Sequence, residues 1–179
     1  YYMVFKISEK DGKRILELAR NSILEEFGKK FSLKNYSDLN FKRGVFVTLT
    51  SEEDLRGCIG FPYPFFPLYK AVYDSAKSAA FNDPRFNPVS ENEINKIKIE
   101  ISVLTEPELI KADKPEDYEG KIIIGRDGLI IEKSGKSGLL LPQVFKEYGV
   151  DSKKALEMVC EKAWLPRNAW KDKNAKIYR

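Results

Sequence analysis

Val45 to Gly60, VFVTLTSEEDLRGCIG, is the stretch whose reading decides the fold. Val45, Val47 and Leu49 alternate with Phe46, Thr48 and Thr50, the period of a strand with one buried face. Ser51 to Asp54 is polar and short enough for a hairpin turn, and the chain returns through LRGCIG, Leu55 to Gly60. Regular alternation along the returning strand sends Arg56 and Cys58 to one face and Leu55, Gly57 and Ile59 to the other. A guanidinium beside a thiol favours the thiolate. Gly57 and Gly60, lacking Cβ, allow close approach of a backbone or ligand. The plainer reading makes Cys58 a small core residue and Arg56 a surface charge.

Outward from this hairpin, Ser8 with Asp11 signals a helix start, and Ile15, Leu16, Ala19, Ile23 and Phe27 share a helical face until Gly28. This predicts a helix over 9–27 and a loop over 29–42. Downstream, Phe61 to Pro67 (FPYPFFP) is too rich in proline for a helix or central strand, so it reads as an extended loop. Its aromatics either wall a pocket or pack the fold. Pro67 opens a helix with Leu68, Ala71, Val72, Ser75, Ala76 and Ala79 inward, ending before Pro84. Ser90 and Glu93 form a capping pair, and Ile97, Ile99, Ile101 and Val103 alternate as a strand. A strand beginning at 122–124, a turn at Asp127–Gly128 and a strand over 129–132 read as a second hairpin. Pro142 to Gly149 brackets a short helix, and Asp151 or Ser152 caps another with Ala155, Leu156, Val159, Cys160 and Ala163 inward. Hairpin-joined strands among a few helices predict an α+β fold with mainly antiparallel pairing.

The chain has 179 residues, enough for one domain, with 42% hydrophobic and 32% charged residues. No apolar run reaches membrane-span length and no leader is read, so a cytoplasmic location is expected. Met3 is read as the natural start, and Tyr1 and Tyr2 are left out of functional reasoning. Two cysteines, Cys58 and Cys160, and no histidine argue against a structural zinc site and against imidazole-dependent triads and dyads. A Cys58–Cys160 disulfide is disfavoured in a reducing cytosol. Abundant Lys, Glu and Ile with a single glutamine, Gln143, suit a hot environment. Net charge is +4, carried by the C-terminal stretch 151–179, with eight Lys or Arg against four Asp or Glu. Such mixed charge usually marks a solvated face.

Ser134 to Gly138, SGKSG, lacks the first glycine of a P-loop and reads as a turn. Gly57 to Gly60 matches the GxxG of an RNA-binding clamp, but in a strand rather than between helices. Asp83 and Arg85, in DPRF, either pair with each other or leave Arg85 to fork onto a substrate carboxylate or phosphate.

LRGCIG, DPRF, ISVLT at 101–105, GRDGLII at 125–131, GLLLPQV at 138–144 and CEKA at 160–163 together resemble the AMMECR family over about residues 9–179. The resemblance implies two unequal lobes, with the hexapeptide near the cleft between them and about residues 40–82 as a smaller inserted lobe. It implies a suspected site at Leu55 to Gly60, but no established activity, and Memo-like and radical-SAM proteins as partners. Trp164 stands where the resemblance leads one to expect glycine, and Val150 where many relatives have tryptophan.

The leading expectation is an enzyme, or an enzyme subunit, acting on a small anionic or carbonyl substrate. Cys58 is its nucleophile or acid/base group and Arg56 steadies charge; Gly57, Gly60, Asp83 and Arg85 bind substrate, and amides near Gly57 to Gly60 hold an oxyanion. No cofactor and no metal is assigned, and a homo-oligomer is allowed. The alternative is a module binding a protein or RNA through Arg56, the aromatic loop, Arg167 and Lys171.

Overall fold

The hairpin predicted from the alternation of Val45 to Thr50 is the centre of a three-stranded antiparallel sheet in the computed structural model, which describes residues 7–179. The reading of Met3 lies outside the described residues. Strand β1 (Val45–Ser51) pairs with β2 (Asp54–Phe61) on one side and β3 (Ile97–Val103) on the other. Val45, Val47 and Leu49 are fully buried against helices α1 (Glu9–Glu25) and α2 (Leu68–Phe81), whose Leu18, Ala19, Val72 and Ala76 are equally buried. Ser8 caps α1 by accepting from the Asp11 N–H. Ser90 and Glu93 form the expected capping box on a 3₁₀ turn leading into β3.

The strand–turn–strand link is Glu52 and Glu53, both with positive φ (53° and 73°), the backbone of a type I′ hairpin. The register between β1 and β2 shifts between Leu49, opposite Gly57, and Thr50, opposite Leu55. Arg56 is therefore the extra residue of a β-bulge, and the strict alternation expected through LRGCIG breaks there.

The second sheet is also antiparallel, in the order β5 (Lys136–Leu140), β4 (Leu129–Lys133), β6 (Lys176–Tyr178). Helices α3 (Pro142–Glu147) and α4 (Ser152–Lys162) flank it, around a core of Leu129, Ile131, Phe145, Leu156, Val159, Trp170 and Ile177. Asp151 caps α4 as predicted, and Val150 packs against this core. The hairpin itself differs from expectation. Residues 122–124 are not a strand, because the Asp127 carboxylate accepts from the Ile123 N–H, and the Asp127 N–H donates to the Ile123 carbonyl, folding 123–127 on itself. The turn lies instead at Ser134 and Gly135, with φ of 51° and 76°, so SGKSG is a hairpin turn running into a strand. Strand β6 was not predicted.

The α+β class holds, with antiparallel pairing throughout. The chain divides into two compact units, Tyr1–Glu106 and Pro107–Arg179. Residues 40–82 lie inside the first, because β1 takes its third strand from 97–103 and α2 shares a core with α1. No helix among the described residues is long and apolar enough to cross a membrane.

Candidate functional site

Cys58 sits opposite Thr48 on β2, an edge strand of the first sheet. Val45, Val47 and Leu49 face the helices, so Thr48 and Cys58 occupy the other face. Both are half-buried there, and Cys58 Sγ lies 3.2 Å from Thr48 Oγ1. Glu100 of β3 is the cross-strand partner of Thr48 on its other side.

The backbone on both sides of the Cys58 Cα is held by DPRF. The Cys58 N–H donates to Asp83 Oδ2 at 2.9 Å, and the Cys58 carbonyl accepts from Arg85 Nη2 at 3.2 Å. Asp83 also accepts from the Arg85 backbone N–H (3.1 Å), Nε (2.9 Å) and Nη2 (2.7 Å). Pro84 ends α2 where the sequence predicts, so the Asp83 carboxylate turns back onto the strand that α2 covers. The Asp83 side chain is 1% exposed, whereas that of Arg85 is 52% exposed. The Arg85 guanidinium, with the Cys58 and Arg85 amides, holds the Asp83 carboxyl well below the usual carboxylate range despite its burial. Asp83 in turn raises Arg85, and charge on Cys58 adds to that shift. Arg85 Nη1 makes no hydrogen bond among the described residues, and the guanidinium lies 5.4 Å from the Phe86 ring centroid.

Arg56, placed by the bulge, has a different task. Its Nε donates to Glu93 Oε1 at 2.9 Å and its Nη1 to the Asn87 carbonyl at 2.8 Å; Nη2 reaches the Pro88 carbonyl and Glu93 Oε2, both at 3.4 Å. Arg56 and the Ser90 N–H and hydroxyl bring the Glu93 carboxyl down to about 2. Arg56 therefore ties residues 87–93 to β2.

Both glycines have packing reasons. A Cβ on Gly57 would lie 2.1 Å from the Ala79 carbonyl oxygen of α2, and one on Gly60 would lie 2.0 Å from the Val45 oxygen. The Cys58 amide, occupied by Asp83, is not open to an oxyanion. The structure thus brings together Cys58, Thr48, Asp83 and Arg85, and commits Arg56 elsewhere. Thr48, beside the Cys58 sulfur, and Glu93, the partner that takes Arg56 away from it, were missed as residues that shape the site. The cross-strand register signals the first, and the Ser90–Glu93 capping pair locates the second.

Of the residues expected in a binding module, Arg167 pairs with Glu161, and Lys171 stacks over Trp170, 5.1 Å from its centroid. Phe65 of the aromatic loop is 65% exposed, while Phe61 and Phe66 pack edge to face. Both cysteines are free thiols, Cys160 buried. Among the described residues, no group of three Cys, Asp or Glu side chains is arranged to hold a metal ion.

A sequence profile of the AMMECR1 family matches residues 16–179. Protein MJ0810 of Methanocaldococcus jannaschii is 48% identical over 163 residues, covering 88% of this chain and 81% of that protein. Protein MK0488 of Methanopyrus kandleri is 45% identical, covering 97% of this chain and 86% of that one. The crystal structure of the uncharacterised protein PH0010 from Pyrococcus horikoshii superimposes with a TM-score of 0.90 at 45% identity, over 97% of this chain and 90% of that chain.

Proposed function

This chain belongs to the AMMECR1 family, and from that premise we propose that it is a cytoplasmic enzyme, or a subunit of one, whose reactive group is the Cys58 thiol. The observation that carries this reading is the clamp: a half-buried thiol whose own N–H and C=O are held by a buried carboxylate and a half-open guanidinium. Holding the backbone on both sides of the Cys58 Cα fixes where the side chain leaves the strand, and the Thr48 contact steadies sulfur there, as proximity catalysis requires. Arg85 Nη1 supplies an oriented cation for the carboxylate or oxyanion of a small substrate. Arg56 acts as a positioning residue through Glu93.

On a carbonyl substrate, Sγ forms a bond to the carbonyl carbon while the C–O π pair moves to oxygen. The thiol proton reaches that oxygen through water, and the product is a hemithioacetal. Thr48 Oγ1 is placed to steady the sulfur in either protonation state.

Alkylation of the native protein at pH 7 with neutral iodoacetamide and anionic iodoacetate tests the reading, with the buried Cys160 as internal control. Cys58 should label at least tenfold faster than a cysteine in an unstructured peptide, and Arg85→Gln should slow iodoacetate severalfold more than iodoacetamide, each about 1 kcal/mol or more by the tenfold rule. Labelling of Cys58 no faster than that of the peptide would remove the thiol from any chemical role.

A further inference from the structure

Trp164 is 86% exposed, more than any other large hydrophobic residue exposed among the described ones, and it stands at φ 56° in the left-handed region. A side chain in that conformation costs about 1–2 kcal/mol relative to glycine, and an indole in water recovers none of it by burial. Stability of the fold therefore gives no reason for tryptophan here.

The backbone beneath the ring is well fastened. The Trp164 N–H donates to the Glu161 carbonyl at 3.0 Å and the Leu165 N–H to the Cys160 carbonyl at 2.9 Å, closing the end of α4. Lys136 Nζ, from the β5 end of the hairpin, donates to the Trp164 carbonyl at 2.9 Å. Because that acceptor is neutral, the Lys136 charge stays uncancelled. Three carboxylates of this region are matched, Glu161 with Arg167, Asp172 with Lys133 and Glu157 with Lys154, and a fourth, Glu132, accepts from the Tyr178 hydroxyl. Exposed Lys162, two residues before Trp164, and exposed Lys176, which lines an open concavity at the hairpin tip with Glu132, Lys133, Lys136 and Asn174, make no ion pair among the described residues.

We infer that Trp164, with Lys136 and Lys162, is a docking point for single-stranded nucleic acid, a base stacking on the indole and the flanking phosphates meeting the lysines. This goes beyond the thiol reading and does not depend on it. A fixed, uncovered aromatic face beside unmatched cations fits a ligand that is flat and anionic along its length. An acidic peptide would satisfy the lysines and leave the indole in water.

The two tryptophans make the test direct, since Trp170 is 2% exposed and Trp164 reports alone on a surface ligand. Titration with a ten-nucleotide oligodeoxythymidine at low salt should quench Trp164 emission saturably. Anisotropy of the same labelled oligonucleotide should give a Kd about tenfold weaker for Trp164→Ala, a loss of one stacked base. Lys136→Glu with Lys162→Glu should weaken it further and flatten its salt dependence. Both sets of changes are on the surface, and unchanged thermal unfolding shows the fold intact. No saturable quenching at millimolar oligonucleotide overturns the inference. So does equal quenching by polyglutamate of the same charge, or an emission shift with protein concentration alone, which would assign the surface to a second copy.

Discussion

Replacing Asp83 by Asn removes the charge around which Arg85 is folded, and offers the Cys58 N–H a weaker acceptor in a site that is 1% exposed at this side chain. Because the Arg85 left behind is half-exposed, the loss is that of a charged acceptor for the Cys58 N–H and not of a fully buried pair. Asp83→Asn should therefore lower the unfolding free energy, measured by urea titration, by about 2 kcal/mol. A loss under about 1 kcal/mol, the range of a surface pair, would show that the clamp is ornamental. Acid acts on the same residues. Glu93 has its folded-state value lowered to about 2 from an ordinary 4.5, so its contribution is complete above the ordinary value and is lost as pH falls from there towards 2. Asp83, lowered further, follows in more acidic solution. Thermal midpoints measured from pH 6 to pH 2 should fall through that window, and Glu93→Gln should start lower and fall less.

Among the elements, the hairpin turn at Glu52 and Glu53 is the one most open to improvement. Both residues hold positive φ without being Gly or Asn, and their ion pairs with Lys96 (3.8 Å) and Lys98 (2.5 Å) are exposed. Substituting Asn-Gly should stabilise the protein by about 1 kcal/mol in thermal unfolding, since the turn type prefers that pair and exposed ion pairs are worth less. Gly57→Ala should do the reverse, costing about 2–3 kcal/mol through overpacking against the Ala79 carbonyl. The long periodic elements were legible in the sequence: α1, α2 and α4 from their apolar faces, β1 to β3 from alternation, and the caps of α1 and α4 from Ser8 and Asp151. The bulge at Arg56 was not, because no residue type announces an inserted position and every side chain around it suits a regular strand. Strand β6 is three residues long, too short for any period. The false strand at 122–124 arose because three consecutive isoleucines look like β structure until Asp127 takes the Ile123 amide. At the site, Cys58, Asp83 and Arg85 were legible as chemistry, but which arginine serves the cysteine depends on contacts spanning 25 to 37 residues.

At the scale of the molecule, each unit carries its own buried cluster. Phe145, fully buried in the second, should cost about 3–5 kcal/mol on replacement by Ala. Hydrogen exchange would locate the loss, expected first in amides of 107–179. The boundary after Glu106 was invisible to sequence reading, since the stretch around it differs little in composition from other connections, and the expected insertion at 40–82 ignored a strand contributed from 97–103. The hold of Asp83 and Arg85 on Cys58 reaches further than a single thiol. A strand at the rim of a sheet is an open template on which a stranger's backbone can zip and polymerise. Here a carboxylate and a guanidinium already occupy the rung at Cys58. That rim is sewn shut at its midpoint, so the pair guards the protein in crowded solution against fibre growth along this margin, whatever the sulfur does.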